Sequence, residues 1–269
     1  MSTDAVRTTS KLSDKVTRDD MDRRQAELPL KSLDLGKNES KFAKALANLL
    51  VKLPKFAIEE EANESELCTR YIEPFLAGLF DDPDRDVFLR WTNETTLEFK
   101  RNDDDTDRRP DMTITRTCGV KWGTTCGYGE AKSAASGADH HAVCLDLMRL
   151  AVFAKDAMDE QRFEGILGIQ IVGRMIKFYV LLLPARKLYT MLQLSEIKVP
   201  SCLRSLHQLA TDPTKVLKIL DVFDRLCVPA KDRQLFLDPR NPRQIHAGAA
   251  TVVVDIDTLK TVMNISRTS

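Results

Sequence analysis

The chain lacks several features that would each have pointed to a function class. No apolar run reaches membrane length, and the longest candidate, around 176–184, is broken by Lys177. A membrane partner is therefore not expected. Net charge is also lacking, since 40 basic and 40 acidic side chains cancel in 269 residues. This balance argues against a broad phosphate-binding surface, although an average would hide a local basic stripe. The six cysteines, at 68, 118, 126, 144, 202 and 227, show no C-x-x-C spacing. With no signal peptide, they read as reduced thiols of an intracellular protein of the nucleus or cytoplasm. His140 and His141 are adjacent and lack ligand spacing, so zinc is not expected between Cys118 and Cys126. There is no internal repeat and no long low-complexity tract.

A hydrophobic share of 43% supports one sizeable domain with a tail. Residues 1–36 are rich in Ser, Thr, Asp, Lys and Arg with few apolar anchors, a composition expected to be a disordered or loosely helical tail. Phe42, Leu46, Leu49, Leu50 and Leu53 recur at helical spacing and predict an amphipathic helix over 40–53. A helix follows over 64–80, then a turn at 81–84 and a strand over 87–91. The acids of the charged loop 101–109 read as a solvated surface. A helix over 138–160, apolar on most faces and relieved by Asp146, Arg149, Lys155 and Asp156, is expected to lie against a sheet. Strands are predicted over 166–172, 176–183 and 187–194, with a tight connection at 173–175. Two helices, over 201–210 and 213–226, complete a domain spanning 37–228. The extension 229–269 carries a polar, proline-containing stretch, a strand over 251–255 and a short apolar segment over 259–263.

The residues with the most chemical content are Arg109-Pro110-Asp111 and Gly129-Glu130-Ala131-Lys132. Proline fits the first position of a strand, so Asp111 stands at the mouth of the strand over 112–116. Alternation along 126–132 puts Tyr128, Glu130 and Lys132 on one face and Gly127, Gly129 and Ala131 on the other. Asp111 and Glu130 supply the one or two carboxylates that Mg²⁺ or Mn²⁺ takes from a protein, and Lys132 stands where it can position water or neutralise a phosphate. A polar linker over 117–125 has hairpin-loop character. Each half alone is commonplace: Asp after Pro is a frequent turn pair and Glu-Ala-Lys a frequent exposed tripeptide.

Pro110-Asp111 and Glu130-Ala131-Lys132 together resemble the two signature halves of the PD-(D/E)XK nuclease superfamily, the restriction-endonuclease-like phosphodiesterases. There is also a looser likeness to uncharacterised fungal proteins with the same RPD, G-x-G-E-x-K and G-x-Q-I-V-G-R layout, which carries no function. The superfamily resemblance spans about residues 63–172. It implies an α/β fold with a restriction-endonuclease-like core, a central mixed β-sheet flanked by helices, to which the C-terminal helices are additional. It implies metal-dependent hydrolysis of nucleic-acid phosphodiester bonds, DNA more than RNA, with Asp111 and Glu130 as metal ligands and Lys132 as the catalytic lysine. Glu66 occupies the place of the family's helix-borne glutamate. Asn63 and Glu66 also have N-cap to N3 spacing, so a capping box is the competing reading. Gln170 reads either as a polar residue near the site or as one satisfied by neighbouring backbone. Lys177 and Tyr179 share a hairpin face directed at DNA or at solvent. The alternative from another class is a catalytically inactive interaction module that keeps the nuclease fold.

Overall fold

The computed structural model describes residues 3–98, 109–185, 188–230 and 251–254. Its helices are α1 (Thr3–Thr17), α2 (Arg23–Lys31), α3 (Lys37–Lys52), α4 (64–80), α5 (His140–Gln161), α6 (Leu206–Thr211) and α7 (Thr214–Leu226). Its strands are β1 (Val87–Trp91), β2 (Met112–Cys118), β3 (Lys121–Lys132), β4 (Gly165–Val172), β5 (Met175–Ala185), β6 (Leu188–Lys198) and β7 (Thr251–Val254). The seven strands among the described residues form one mixed sheet whose spatial order follows chain order. Neighbours are antiparallel except at β3–β4 and β6–β7.

Parallel pairing of β3 with β4 requires a crossover, and α5 supplies it. That helix lies on one face of the sheet, where Phe153 meets Tyr128 with ring centroids 5.6 Å apart. The opposite face is covered by α4 and α7, with α3 packed on both: Phe80 of α4 lies 6.4 Å from Phe178 of β5 and 5.2 Å from Phe223 of α7. Coverage on both faces explains why Ile166, Leu167, Ile169 and Ile171 of β4 are all buried rather than alternating. The chain is thus an α/β protein with helices flanking a mixed sheet.

Of the two readings of 1–36, disordered or loosely helical, the disordered one is corrected: α1 and α2 are helices packed on the rest of the chain. Few apolar residues occur there, but Leu12, Val16, Ala26 and Leu30 are all buried in the core shared with α3. Polar side chains add anchors that composition could not reveal. Ser13 Oγ donates to the Leu203 carbonyl at 2.6 Å, and Arg23 Nη1 donates to the carbonyls of Leu50 and Leu53, each at 2.7 Å. A cation there satisfies the orphan carbonyls at the C-terminus of α3. Replacing Leu30, 1% exposed, by Ala is expected to cost about 2–5 kcal/mol. Denaturant titration checks this; an unchanged midpoint would return the segment to a dispensable tail.

The linker 117–125 is corrected as well. β2 and β3 extend through most of it to a two-residue turn at Gly119-Val120, with Gly119 at φ 60, and bulges fall at Ile114/Thr115 and Arg116/Thr117. Threonine-rich sequence that reads as loop by polarity is extended because its partner strand supplies hydrogen bonds. Residues 101–108 of the charged loop, most of the polar stretch 229–250 and the segment 259–263 lie outside the described residues.

Candidate functional site

Asp111 stands one residue before β2, and its Oδ2 accepts the Ala131 N–H of β3 at 2.8 Å. This bond holds the carboxylate against the peptide between Glu130 and Lys132. The period-two expectation holds for β3: Tyr128 meets Phe153 of α5, while Glu130 and Lys132 reach Arg149 and Asp146 of the same helix.

Glu130 is 2% exposed. Its Oε2 lies 3.3 Å from Arg149 Nη1, and its Oε1 is buried without a hydrogen-bond partner among the described residues. Burial first, and the neighbouring Asp111 carboxylate second, push its pKa up to about 8, against the attraction of Arg149 and Lys132. Such a group stabilises the fold while protonated. The unfolded chain releases that proton near 4.5, so this contribution falls as pH rises from 4.5 towards 8. Thermal melting across that window is expected to decline more steeply for the wild type than for Glu130→Gln. Parallel curves would contradict the burial and crowding.

Two residues of the cluster were not singled out for the site by sequence, Asp146 and Arg149. Both belong to α5, where i,i+3 spacing turns them to the same side. Asp146 Oδ2 lies 3.7 Å from Lys132 Nζ, and its Oδ1 lies 3.5 Å from Arg149 Nη1. Burial raises the Asp146 pKa, opposed by Lys132 and Arg149. Arg149 Nη2 also donates to the Arg109 carbonyl at 3.1 Å, which ties α5 to the start of the Pro110-Asp111 segment. The only signal in the sequence was a pair of opposite charges three apart in the otherwise uncharged stretch 142–154.

Glu66 is not brought to this group. Asn63 caps α4 by accepting the Glu66 N–H at 2.9 Å, while the Glu66 carboxylate accepts from Arg70 Nε at 2.8 Å. Glu64 is nearer the site: with Ser65, Cys68, Trp91 and Asn93 it lines a pocket of about 290 Å³ that also includes Asp111. Burial, then Glu64, then Asp111 push the Cys68 thiol up to about 12. A π-helical turn, Leu67–Ile72, begins just before Cys68. Such turns sit frequently at functional sites.

Gln170 of β4 pairs in register with Glu130, yet its Nε2 donates to the Val143 carbonyl at 2.7 Å and its Oε1 accepts from the Tyr179 hydroxyl at 3.4 Å. It braces α5 on the sheet. Tyr179 is consequently buried, which corrects the expectation that it shares an outward face with Lys177. Among the described residues no three His, Cys, Asp or Glu side chains are gathered to hold a metal by themselves. Asp111 and Glu130 are two carboxylates, the second with an unsatisfied buried oxygen, and such a pair would suit Mg²⁺ or Mn²⁺, ions that keep waters and substrate oxygens in their remaining positions. Comparison with protein-family models, with curated proteins and with solved structures gives no match.

Proposed function

We propose that Asp111, Glu130 and Lys132 form the centre of a metal-dependent phosphodiesterase of the PD-(D/E)XK type acting on nucleic acid, DNA in preference to RNA. The observation that carries this reading is the crowding of Glu130. A buried carboxylate with an unpartnered oxygen, its proton affinity raised first by burial and then by a second carboxylate, and only partly offset by Arg149 and Lys132, is a place where a divalent cation relieves the remaining repulsion. Support also comes from element order. The run α4, β1, β2, β3, α5, β4 follows the order helix, strand, Asp strand, Glu-x-Lys strand, helix, strand of that superfamily's core, with Asp111 at the entry of β2 and Glu130 and Lys132 near the end of β3.

When bound, Mg²⁺ or Mn²⁺ supplies Lewis-acid polarisation of a phosphoryl oxygen and lowers the pKa of bound water. Asp111 is oriented for that ion by the Ala131 amide, and Glu130 by its strand position opposite α5. Lys132, held by Asp146, presents an ammonium that orients water or offsets charge on the scissile phosphate. Arg149, whose side chain is 43% exposed, faces solvent enough to meet a phosphate with its planar fork.

A catalytically inactive interaction module is the second reading. It is favoured by the internal pairing of Lys132 with Asp146 and of Arg149 with Glu130, which neutralises much of the cluster without any ligand. Incubating the protein with Mg²⁺ or Mn²⁺ and single-stranded, double-stranded or branched DNA, or RNA, separates the two. Strand breaks that require the metal support the enzyme; nucleic-acid binding without breaks supports the module.

A further inference from the structure

A polar cleft adjoins the Lys132 end of β3 through the turn that joins β4 to β5. Gly173 occupies that turn at φ 55, and its N–H donates to the Lys132 carbonyl at 2.9 Å. The next residue, Arg174, accepts the Val199 N–H at 2.8 Å and returns a bond from Nη1 to the Val199 carbonyl at 2.7 Å. Hydrogen bonds thus lead from Lys132 through Arg174 to Val199, which lines a cleft of about 400 Å³.

The cleft's chemistry is cationic and hydroxyl-rich. Arg174, Lys198 and Lys215 face it together with Ser201, Ser205 and Gln208. Two acids, Glu196 and Asp212, line it as well, and Asp212 has a cationic neighbour. Asp212 accepts the Thr214 hydroxyl at 2.6 Å and lies 3.6 Å from Lys215, while Glu196 is the cross-strand partner of Lys177. Of the other two cations, Arg174 bonds Val199 and Lys198 is exposed, with Glu196 the one acid beside them, so the lining carries one net positive charge. Side-chain hydroxyls and an amide beside two such cations match phosphate and sugar oxygens rather than apolar groups.

We propose that this cleft holds the phosphodiester backbone of the nucleic-acid strand that runs away from the scissile bond, with Arg174 and Lys198 on its phosphates. The proposal rests on the reading of Asp111, Glu130 and Lys132 as a phosphodiesterase centre. It also places a short basic stripe in a chain whose overall charge is zero.

The test is equilibrium binding of a labelled single-stranded DNA oligonucleotide to the full chain without divalent metal, measured against salt concentration. Parallel cleavage assays contain Mg²⁺ or Mn²⁺. Lys198→Gln should weaken binding to every sequence alike and lower the log–log salt slope by about 0.7, the value for one phosphate contact on a single strand. Adding Arg174→Gln should lower it by about as much again. Because Arg174 also bonds Val199, the exposed Lys198 variant alone keeps the test valid if the double variant fails to fold. If the wild type cleaves but both variants keep its slope and KM, the cleft is not the strand path and the catalytic reading stands. If the wild type neither binds nor cleaves nucleic acid, both proposals fall.

Discussion

Lys132→Ala is expected to lower metal-dependent strand cleavage by about 10²–10⁴-fold, the usual contribution of a positioned proton-transfer or charge-stabilising group. The side chain is accessible at the site, and its removal leaves Asp146 still within 3.5 Å of Arg149. The fold should therefore survive the change, with the loss falling in kcat rather than in melting temperature. Lys132→Arg keeps the charge but replaces a compact ammonium by a planar fork, and should recover only a small part of the activity. Equal activity in wild type and Lys132→Ala would remove the lysine from the chemistry. Loss of activity with a matching fall in Tm would reduce its role to structure.

The second large effect concerns the scaffold. A Cβ added at Gly78 of α4 would stand 2.2 Å from Ala45 Cα and 2.4 Å from its N, so it meets backbone that cannot swing aside as a side chain would. Gly78→Ala is expected to cost on the order of 3 kcal/mol, the upper end of ordinary overpacking, and Gly78→Val more. At the usual ratio for chains of this size that is a fall of roughly 6–12 °C in Tm. Ala45→Gly should recover little of it, because the clash is with backbone atoms. A melting temperature unchanged by Gly78→Ala would mean that α3 and α4 are not in this close contact. The consequence reaches the site, since α4 carries Glu64 and Cys68 to the Asp111 pocket.

Much of the sheet was readable from the chain. Period-two alternation placed Tyr128, Glu130 and Lys132 on one face, and a strand does give each side chain a fixed side. The β-branched runs of β4 and β5 were likewise found within one or two residues of their ends. What escaped depended on partners distant in sequence. Arg23 belongs to a polar segment, and its bonds to the carbonyls of Leu50 and Leu53, with the burial of Ala26 and Leu30, hold that segment on α3.

Choosing between Glu64 and Glu66 needed the rotation of α4 about its own axis, which is set by packing of Phe75, Leu79 and Phe80 into the core. Spacing gives no such angle, and the π-turn after Glu66 changes the phase again. Asp146 and Arg149 were visible as charges on an apolar helix, but their place beside Lys132 and Glu130 follows from how α5 crosses the sheet between β3 and β4.

The central claim is that Asp111 and Glu130 share one divalent cation beside Lys132. Crystals soaked in Mn²⁺ and measured at the manganese absorption edge test it most directly. The account predicts one anomalous peak between the two carboxylates, absent from Glu130→Gln, with the Lys132 amine next to it. Crystals that show no peak there, or show one held by other residues, would contradict it.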